Sequence, residues 1–182
     1  MEMETAGRVI VRHDVRPGDL GHVIALHGVL YAQEYGFGIG FEVYAAETLA
    51  EFGKLARPGL DRLWLAERDG QLVGSIAILG RGGRGGQETV GQEAGEGPAG
   101  THENGEYENG AAQLRCFLVH PGTRGTGLGR QLVAEALAFC RAAGYRTVYL
   151  WTFNGLDAAI HLYRSHGFRK TETKPPADRA IA

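Results

Sequence analysis

The sequence predicts a single-domain fold of the α/β or α+β class, a mixed sheet with helices around it, and three observations carry that prediction. The 182 residues, 43% of them apolar, suffice for one ordinary core and are too few for two comfortable ones. Strand-like apolar runs alternate along the chain with segments whose apolar residues recur at helical spacing. Asp69-Gly70, lying between two such runs, is the strongest short-range signal for a tight hairpin.

Each element follows from local pattern. Arg8–Arg12 (RVIVR) is a short apolar run and reads as the first strand. Leu20, Val23, Ile24, His27, Leu30 and Tyr31 then repeat at helical spacing, as do Phe41, Tyr44, Ala45, Thr48, Leu49 and Phe52. These give two amphipathic helices separated by the glycine-punctuated EYGFGIG. Arg62–Glu67 and Gln71–Leu79 are the arms of the hairpin, and Gln113–Val119 is a fourth strand. A helix from about Leu128 to Ala143 carries Leu132, Ala136, Leu137 and Cys140 on one face and stops at Gly144, as a C-terminal glycine cap requires. Thr147–Phe153 is a fifth strand, Leu156–His166 a helix stopped by Gly167, and Phe168–Lys174 a final strand.

Between Gly80 and Gly110 the pattern fails. Eleven glycines and six glutamates crowd these positions, with no Leu, Ile or Phe. Such a segment cannot bury enough apolar surface to offset the entropy of ordering it, so residues 81–110 are expected to form a disordered glycine-rich insertion. Arg81 and Arg84 beside glycines could suggest RNA contact, but two such units followed by acidic sequence do not support it.

Charge and cysteine content narrow the function. Nineteen Lys and Arg against 21 Asp and Glu leave a net charge of -2, which argues against a protein that grips nucleic acid or an anionic membrane through bulk charge. Cys116 and Cys140 sit in apolar surroundings without metal-ligand spacing, so neither a disulfide framework nor a zinc site is indicated. The charged MEMETAGRVIVRHD start and the lack of any run approaching about 18 apolar residues predict a cytoplasmic protein.

The stretch that carries chemistry is LRCFLVHPGTRGTGLGRQLVAEAL: a strand, a turn at Pro121, a glycine-rich loop and a helix. A loop opening directly into a helix aims several backbone N–H groups at one spot, where the helix dipole is positive and a phosphate is favoured. Gly125, Gly127 and Gly129 leave room for close approach. A Walker loop would need Lys-Ser/Thr after the glycines, and none follows. A dinucleotide fingerprint counted from Gly125 and Gly127 would need a third glycine where Arg130 stands. A glycine-rich connection without ligand is the remaining alternative.

What fits is R-x-x-G-x-G, made by Arg124, Gly127 and Gly129 after an apolar strand, followed some forty residues later by L-Y-x-x-x-G-F, made by Leu162, Tyr163, Gly167 and Phe168. This pair resembles the GNAT family, the acetyl-CoA-dependent N-acetyltransferases, over Leu114 to Phe168; the N-terminal half agrees in the order of its elements. The resemblance implies a twisted mixed sheet with helices on both faces, whose two parallel strands, here Gln113–Val119 and Thr147–Phe153, splay to admit acetyl-CoA. It implies no metal, a small-molecule or peptide amine as acceptor, and a homodimer among the oligomeric states open to the chain.

The same resemblance places the site residues. Backbone groups of Phe117 and Val119 would pair with the pantetheine amides as an added strand would. The N–H groups of Arg124, Gly125, Thr126, Gly127, Leu128, Gly129 and Arg130 would hold the pyrophosphate, with the Arg124 side chain adding charge. The N–H of Leu118 would stabilise the oxyanion. Tyr163 stands at the position of the family's general acid, the alternative being an amphipathic tyrosine packed between helix and sheet. The family pattern has an asparagine where this chain has Leu156, three residues before Ala159; Asn154, two positions earlier, is the candidate for the cofactor arm, with helix capping as its other role.

An alkyl amine with a pKa near 10 must lose a proton before attack. Glu34 is the candidate base, with Glu42 and His120 as further choices, because the family has no fixed base position. Tyr31, Tyr35, Phe37 and Phe41 cluster on the link between the first two helices, as core or as walls of an acceptor pocket. His161, His166, Trp64 and Trp151 read as surface or packing residues. The competing class is a non-catalytic acyl-CoA-binding or interaction module that keeps the loop without a working acid and base.

Overall fold

The computed structural model describes residues 7–81, 110–153 and 155–171. The bulk of the expected insertion, Asn154 and residues 172–182 lie outside the described residues. In chain order the elements are β1 (Ile10–Arg12), α1 (Asp19–Tyr35), α2 (Ile39–Leu55), β2 (Arg62–Arg68), β3 (Gln71–Arg81) and β4 (Ala111–Val119). A 3-10 turn at Pro121–Thr123, α3 (Leu128–Ala142), β5 (Thr147–Leu150) and α4 (Asp157–Ser165) follow.

The five strands form one sheet in the order β1-β2-β3-β4-β5. The first four are antiparallel neighbours, and β5 runs parallel to β4 across the α3 crossover. Asp69 and Gly70 both take positive φ, 52° and 75°, the mirror-image turn that the right-handed twist of a hairpin demands.

Helices cover both faces of the sheet. On one, Leu63 and Leu65 of β2 with Ala77 and Leu79 of β3 meet Val23, Leu49 and Phe52 of α1 and α2. On the other, Trp64, Ala66, Ile76 and Ile78 meet Leu132, Val133, Ala136 and Cys140 of α3. Burial on both sides explains why β2 and β3 read as near-continuous apolar runs rather than alternating ones.

Two polar networks tie the elements. The Arg12 guanidinium grips both Asp19 oxygens, at 2.9 and 2.7 Å, and Glu67 at 2.6 Å, joining β1 to the first turn of α1 and to β2. Asp61 is buried where it accepts from the backbone N–H of Gly80 at 2.6 Å and of Arg57 at 2.8 Å. A side chain at Gly80 would strike the Tyr145 hydroxyl and the Arg57 guanidinium. The far end of β3 is thereby fixed.

The parallel pairing of β4 and β5 runs from Ala111↔Thr147 to Leu114↔Leu150 and goes no further. From Arg115 to Val119, β4 keeps register with β3 alone, so the two parallel strands splay as expected. At the splay β4 carries a bulge: Ala77 faces Arg115 and Ser75 faces Leu118, so Cys116 and Phe117 stand opposite Ile76. Cys116 has φ 51°, and its carbonyl accepts from the Ser75 hydroxyl at 2.7 Å.

Several boundaries differ from expectation. β3 continues through Arg81, paired with Ala111, and Gly110 is a turn residue, so ordered strand pairing extends to the edges of the 81–110 segment. A backbone ladder needs no particular side chain, which is why composition hid it. β5 ends at Leu150, leaving Trp151 and Phe153 beyond the strand. The final strand expected over Phe168–Lys174 is absent from its described part, 168–171. The Phe168 N–H instead donates to the Tyr163 carbonyl at 3.1 Å and caps α4, and the described residues after it, Arg169, Lys170 and Thr171, are polar and exposed.

Candidate active site

The glycine-rich loop connects the splayed end of β4 to α3. Gly125 and Gly127 adopt φ 76° and 91°, a conformation costly for residues with a Cβ, and around both the space is open. Gly127 is the N-cap of α3 and supplies no side-chain cap. Thr126, whose hydroxyl could have served, donates it to the Thr123 carbonyl at 2.7 Å instead. The first turns of α1, α2 and α4 contain Asp19, Glu42 and Asp157, whereas that of α3 contains no carboxylate. Among the α-helices described, α3 alone keeps the positive end of its dipole uncompensated by a first-turn acid.

Gly129 is placed differently. A Cβ there would lie 3.4 Å from Leu162, 3.5 Å from Phe117 and 3.6 Å from Val119, ordinary packing distances, so Gly129 marks where α3 meets β4 and α4 without space alone demanding glycine. Leu128 is a core side chain and offers the loop only its backbone. Arg130 is exposed on the first turn.

Arg124 does not stand free. Its Nε donates to the Val119 carbonyl at 3.0 Å, and its Nη2 donates to Glu34 at 2.8 Å. The guanidinium expected at the pyrophosphate and the carboxylate expected as base are thus brought together across the mouth of the splay. That contact joins residues 90 positions apart, which no sequence pattern signals.

Tyr163 lies on α4, almost wholly buried, with its ring 5.7 Å from Phe117 and 5.8 Å from Phe168. Burial drives its hydroxyl well above the ordinary value of 10.0, and nearby Tyr31 adds to the shift. Tyr31 is itself pushed up to about 12, chiefly by burial, with Tyr35, Cys116 and Glu34 contributing. Tyr31 stands on α1 one turn before Glu34, its ring stacked on Phe41 at 4.1 Å.

The remaining candidates separate. Glu42 lays its carboxylate over Gly28 of α1, where an added Cβ would come within 2.6 Å of Oε2. His120 accepts from the Gly122 N–H through Nδ1 at 3.1 Å and caps the 3-10 turn. His166 turns its Nδ1 to the Leu162 carbonyl at 3.0 Å, and His161 is exposed. Trp64 is core. Desolvation pushes the thiols of Cys116 and Cys140 up to about 12 and about 11, so neither supplies a thiolate nucleophile at neutral pH.

Sequence reasoning missed Phe153 and His27. Phe153 packs its ring against Tyr31, Tyr35 and Phe37, at 5.9, 5.7 and 4.9 Å, closing the aromatic cluster from the β5 side. His27 is buried and stacks on Tyr31 at 5.9 Å. Neither could be found from spacing, because each acquires its role through a contact distant in sequence or hidden within a core stripe. A surface hollow of about 560 Å³ bounded by Arg62, Trp64, Glu135 and Phe139 lies at the opposite end of α3 from the loop.

A five-stranded sheet opened between parallel strands, with an uncapped helix N-terminus at the opening, defines a class of protein. Residues 29–168 match the Acetyltransferase (GNAT) family, and the chain belongs to it. It is 38% identical over 107 residues to a mycothiol acetyltransferase of Cellulomonas flavigena, covering 59% of this chain and 26% of that protein. With N-acetyltransferase family 8 member 2 of Rattus norvegicus it shares 34% over 141 residues, covering 74% and 52%. The chain therefore spans about a quarter and about half of these relatives. A GNAT acetyltransferase of Staphylococcus aureus superposes with TM-score 0.65 at 17% identity, over 94% of this chain and 92% of that one. An acetyltransferase of Clostridium acetobutylicum, crystallised with acetyl-CoA, gives 0.60 at 16%, over 92% and 94%. Among the described residues no group of three or more His, Cys, Asp or Glu side chains could hold a metal ion, and no helix is long and apolar enough to cross a membrane.

Proposed function

We propose that the chain transfers an acetyl group from acetyl-CoA to a primary amine by direct attack in a ternary complex. The observation that carries this reading is the loop at the splay: left-handed glycines with open space around them, and a helix N-terminus free of first-turn acids beside Arg124. Its donors fit a diphosphate, and the β4 edge from Arg115 to Val119, which has no β5 partner, fits the amides of a pantetheine arm. In this reading Phe117 and Val119 align the arm. Leu118 is the candidate in this reading for the N–H that meets the thioester oxygen, and Asn154 the candidate to contact the arm.

The amine nitrogen, having given a proton to Glu34, attacks the thioester carbonyl. The C–N bond forms, the C–S bond breaks as the Tyr163 hydroxyl donates its proton to the departing sulfur, and the second proton lost by the acylated nitrogen restores the tyrosine by way of solvent. The raised thiol pKa values support direct transfer over an acetyl-cysteine intermediate.

Calorimetry with coenzyme A and an assay of thiol release from acetyl-CoA over an amine panel test the proposal. Saturable heat that Arg124→Gln weakens about 3- to 10-fold, with amine-stimulated thiol release, is the expected result. No heat at millimolar coenzyme A overturns it. Heat without amine-stimulated release leaves only a binding module.

A further inference from the structure

We infer that the acceptor is a cationic amine carried on an aromatic body and free of acidic groups, recognised by the ring cluster at the α1–α2 link; this rests on the acetyl-transfer reading above. Tyr31, Tyr35, Phe37, Phe41, Tyr44 and Phe153 gather at one place from α1, the link, α2 and the segment after β5. Tyr31 and Phe41 stack at 4.1 Å with 17° between their planes, and Phe37 bridges them to Phe153, at 5.1 Å from Phe41 and 4.9 Å from Phe153. None of the six is fully buried, and Tyr35 and Tyr44 are 38% and 47% exposed, so the cluster is within reach of an incoming molecule. A cluster serving only as core would be sealed, as the buried residues beneath it are.

The cluster borders the reacting atoms of the proposed transfer. Tyr31 and Tyr35 share the last turns of α1 with Glu34, whose carboxylate meets Arg124 of the loop at 2.8 Å, and Phe153 joins the rings from the segment that follows β5. A molecule seated on these rings therefore presents its amine where the thioester would end. Aromatic faces attract both a flat apolar body and a cation.

Charge sets the other half of the specificity. α1 and α2 contain Asp19, Glu34, Glu42, Glu47 and Glu51 against a single lysine, Lys54, in the last turn of α2. The two arginines near the rings are engaged: Arg124 with Glu34 and the Val119 carbonyl, Arg115 over the Tyr44 ring at 5.1 Å and beside Glu51 at 3.7 Å. Glu34 and Glu42 flank the link that carries the rings, so an acceptor carboxylate or phosphate there would meet carboxylates while both nearby arginines are already engaged, whereas an ammonium would be drawn in.

Two matched comparisons on the full chain read the two halves separately. 2-Phenylethylamine and phenylalanine differ by the carboxylate; 2-phenylethylamine and ethylamine differ by the ring. Binding to the chain saturated with coenzyme A is measured by calorimetry, and kcat/KM with acetyl-CoA by thiol release. 2-Phenylethylamine should exceed each partner at least tenfold in both measurements. Phe41→Leu, which keeps the side chain apolar but removes its aromatic face, should cut its advantage over ethylamine at least threefold. Equal or better binding of phenylalanine or ethylamine overturns the inference, as does an unchanged ring preference in Phe41→Leu. Because binding is read without turnover, loss of thiol release with every amine would count against the transfer reading and not against the acceptor class.

Discussion

The Tyr163 hydroxyl is kept protonated far above neutral pH by burial, with Tyr31 pushing in the same direction, so it is a donor throughout the working range. Tyr163→Phe retains the ring contacts with Phe117 and Phe168 and removes only that donor. Turnover should fall about 10²- to 10⁴-fold with thermal stability nearly unchanged. The rising limb of the pH–rate profile should persist, because it belongs to the amine and its base. Undiminished turnover in the folded variant would end the acid role. His27 makes the complementary case for stability. It is 4% exposed, its Nδ1 lies 2.8 Å from the Val23 carbonyl, and its Nε2 has no hydrogen-bond partner. Burial lowers its pKa below 6.5. The unfolded chain binds a proton near 6.5 that the folded chain resists, so this contribution is intact above that pH. It is lost as pH falls toward the folded value, at about 1.4 kcal/mol per unit between the two. Wild type should therefore lose more melting temperature between pH 7.5 and 5.5 than His27→Leu does; equal losses would contradict the assignment.

At the scale of elements, legibility in the sequence tracked how local the determinant is. The Asp69-Gly70 hairpin, the α3 stripe ending before Gly144 and the left-handed glycines of the loop depend on neighbours a few residues apart, and all stand where spacing puts them. The bulge in β4 had no such signature. Cys116 takes φ 51° without being glycine or asparagine, held by the unequal register with β3 and by the Ser75 hydroxyl, 41 positions away. The shorter β5 has a plain reason: an apolar run such as TVYLWTF marks burial, and burial at Phe153 comes from Tyr31 and Tyr35 of α1 and Phe37 of the link rather than from strand pairing. Arg12 was likewise unreadable, since the Asp19 and Glu67 that hold it come from separate elements.

The whole molecule places its two halves on either side of the splay, with α1 and α2 toward the proposed acceptor and the loop and α3 toward the proposed cofactor. Arg124–Glu34 is an ion pair that crosses between them, at 2.8 Å, with 47% and 22% of the two side chains exposed. Exposure at that level means water competes for both partners, and the pair's own contribution to stability is at most about 1 kcal/mol. Its consequence is functional, because the same guanidinium is assigned to a diphosphate and the same carboxylate to an ammonium. Without cofactor, Glu34 satisfies Arg124; a bound diphosphate must draw the arginine away, and the carboxylate released is then available to the amine. Glu34→Gln weakens that competition and removes the base in one substitution, so its two effects should have opposite signs. Coenzyme A should bind about 3- to 10-fold tighter by calorimetry while kcat for amine acetylation falls at least tenfold. Weaker coenzyme A binding in Glu34→Gln would mean that the carboxylate instead holds Arg124 in its binding pose, and the exchange of partners across the splay would have to be abandoned.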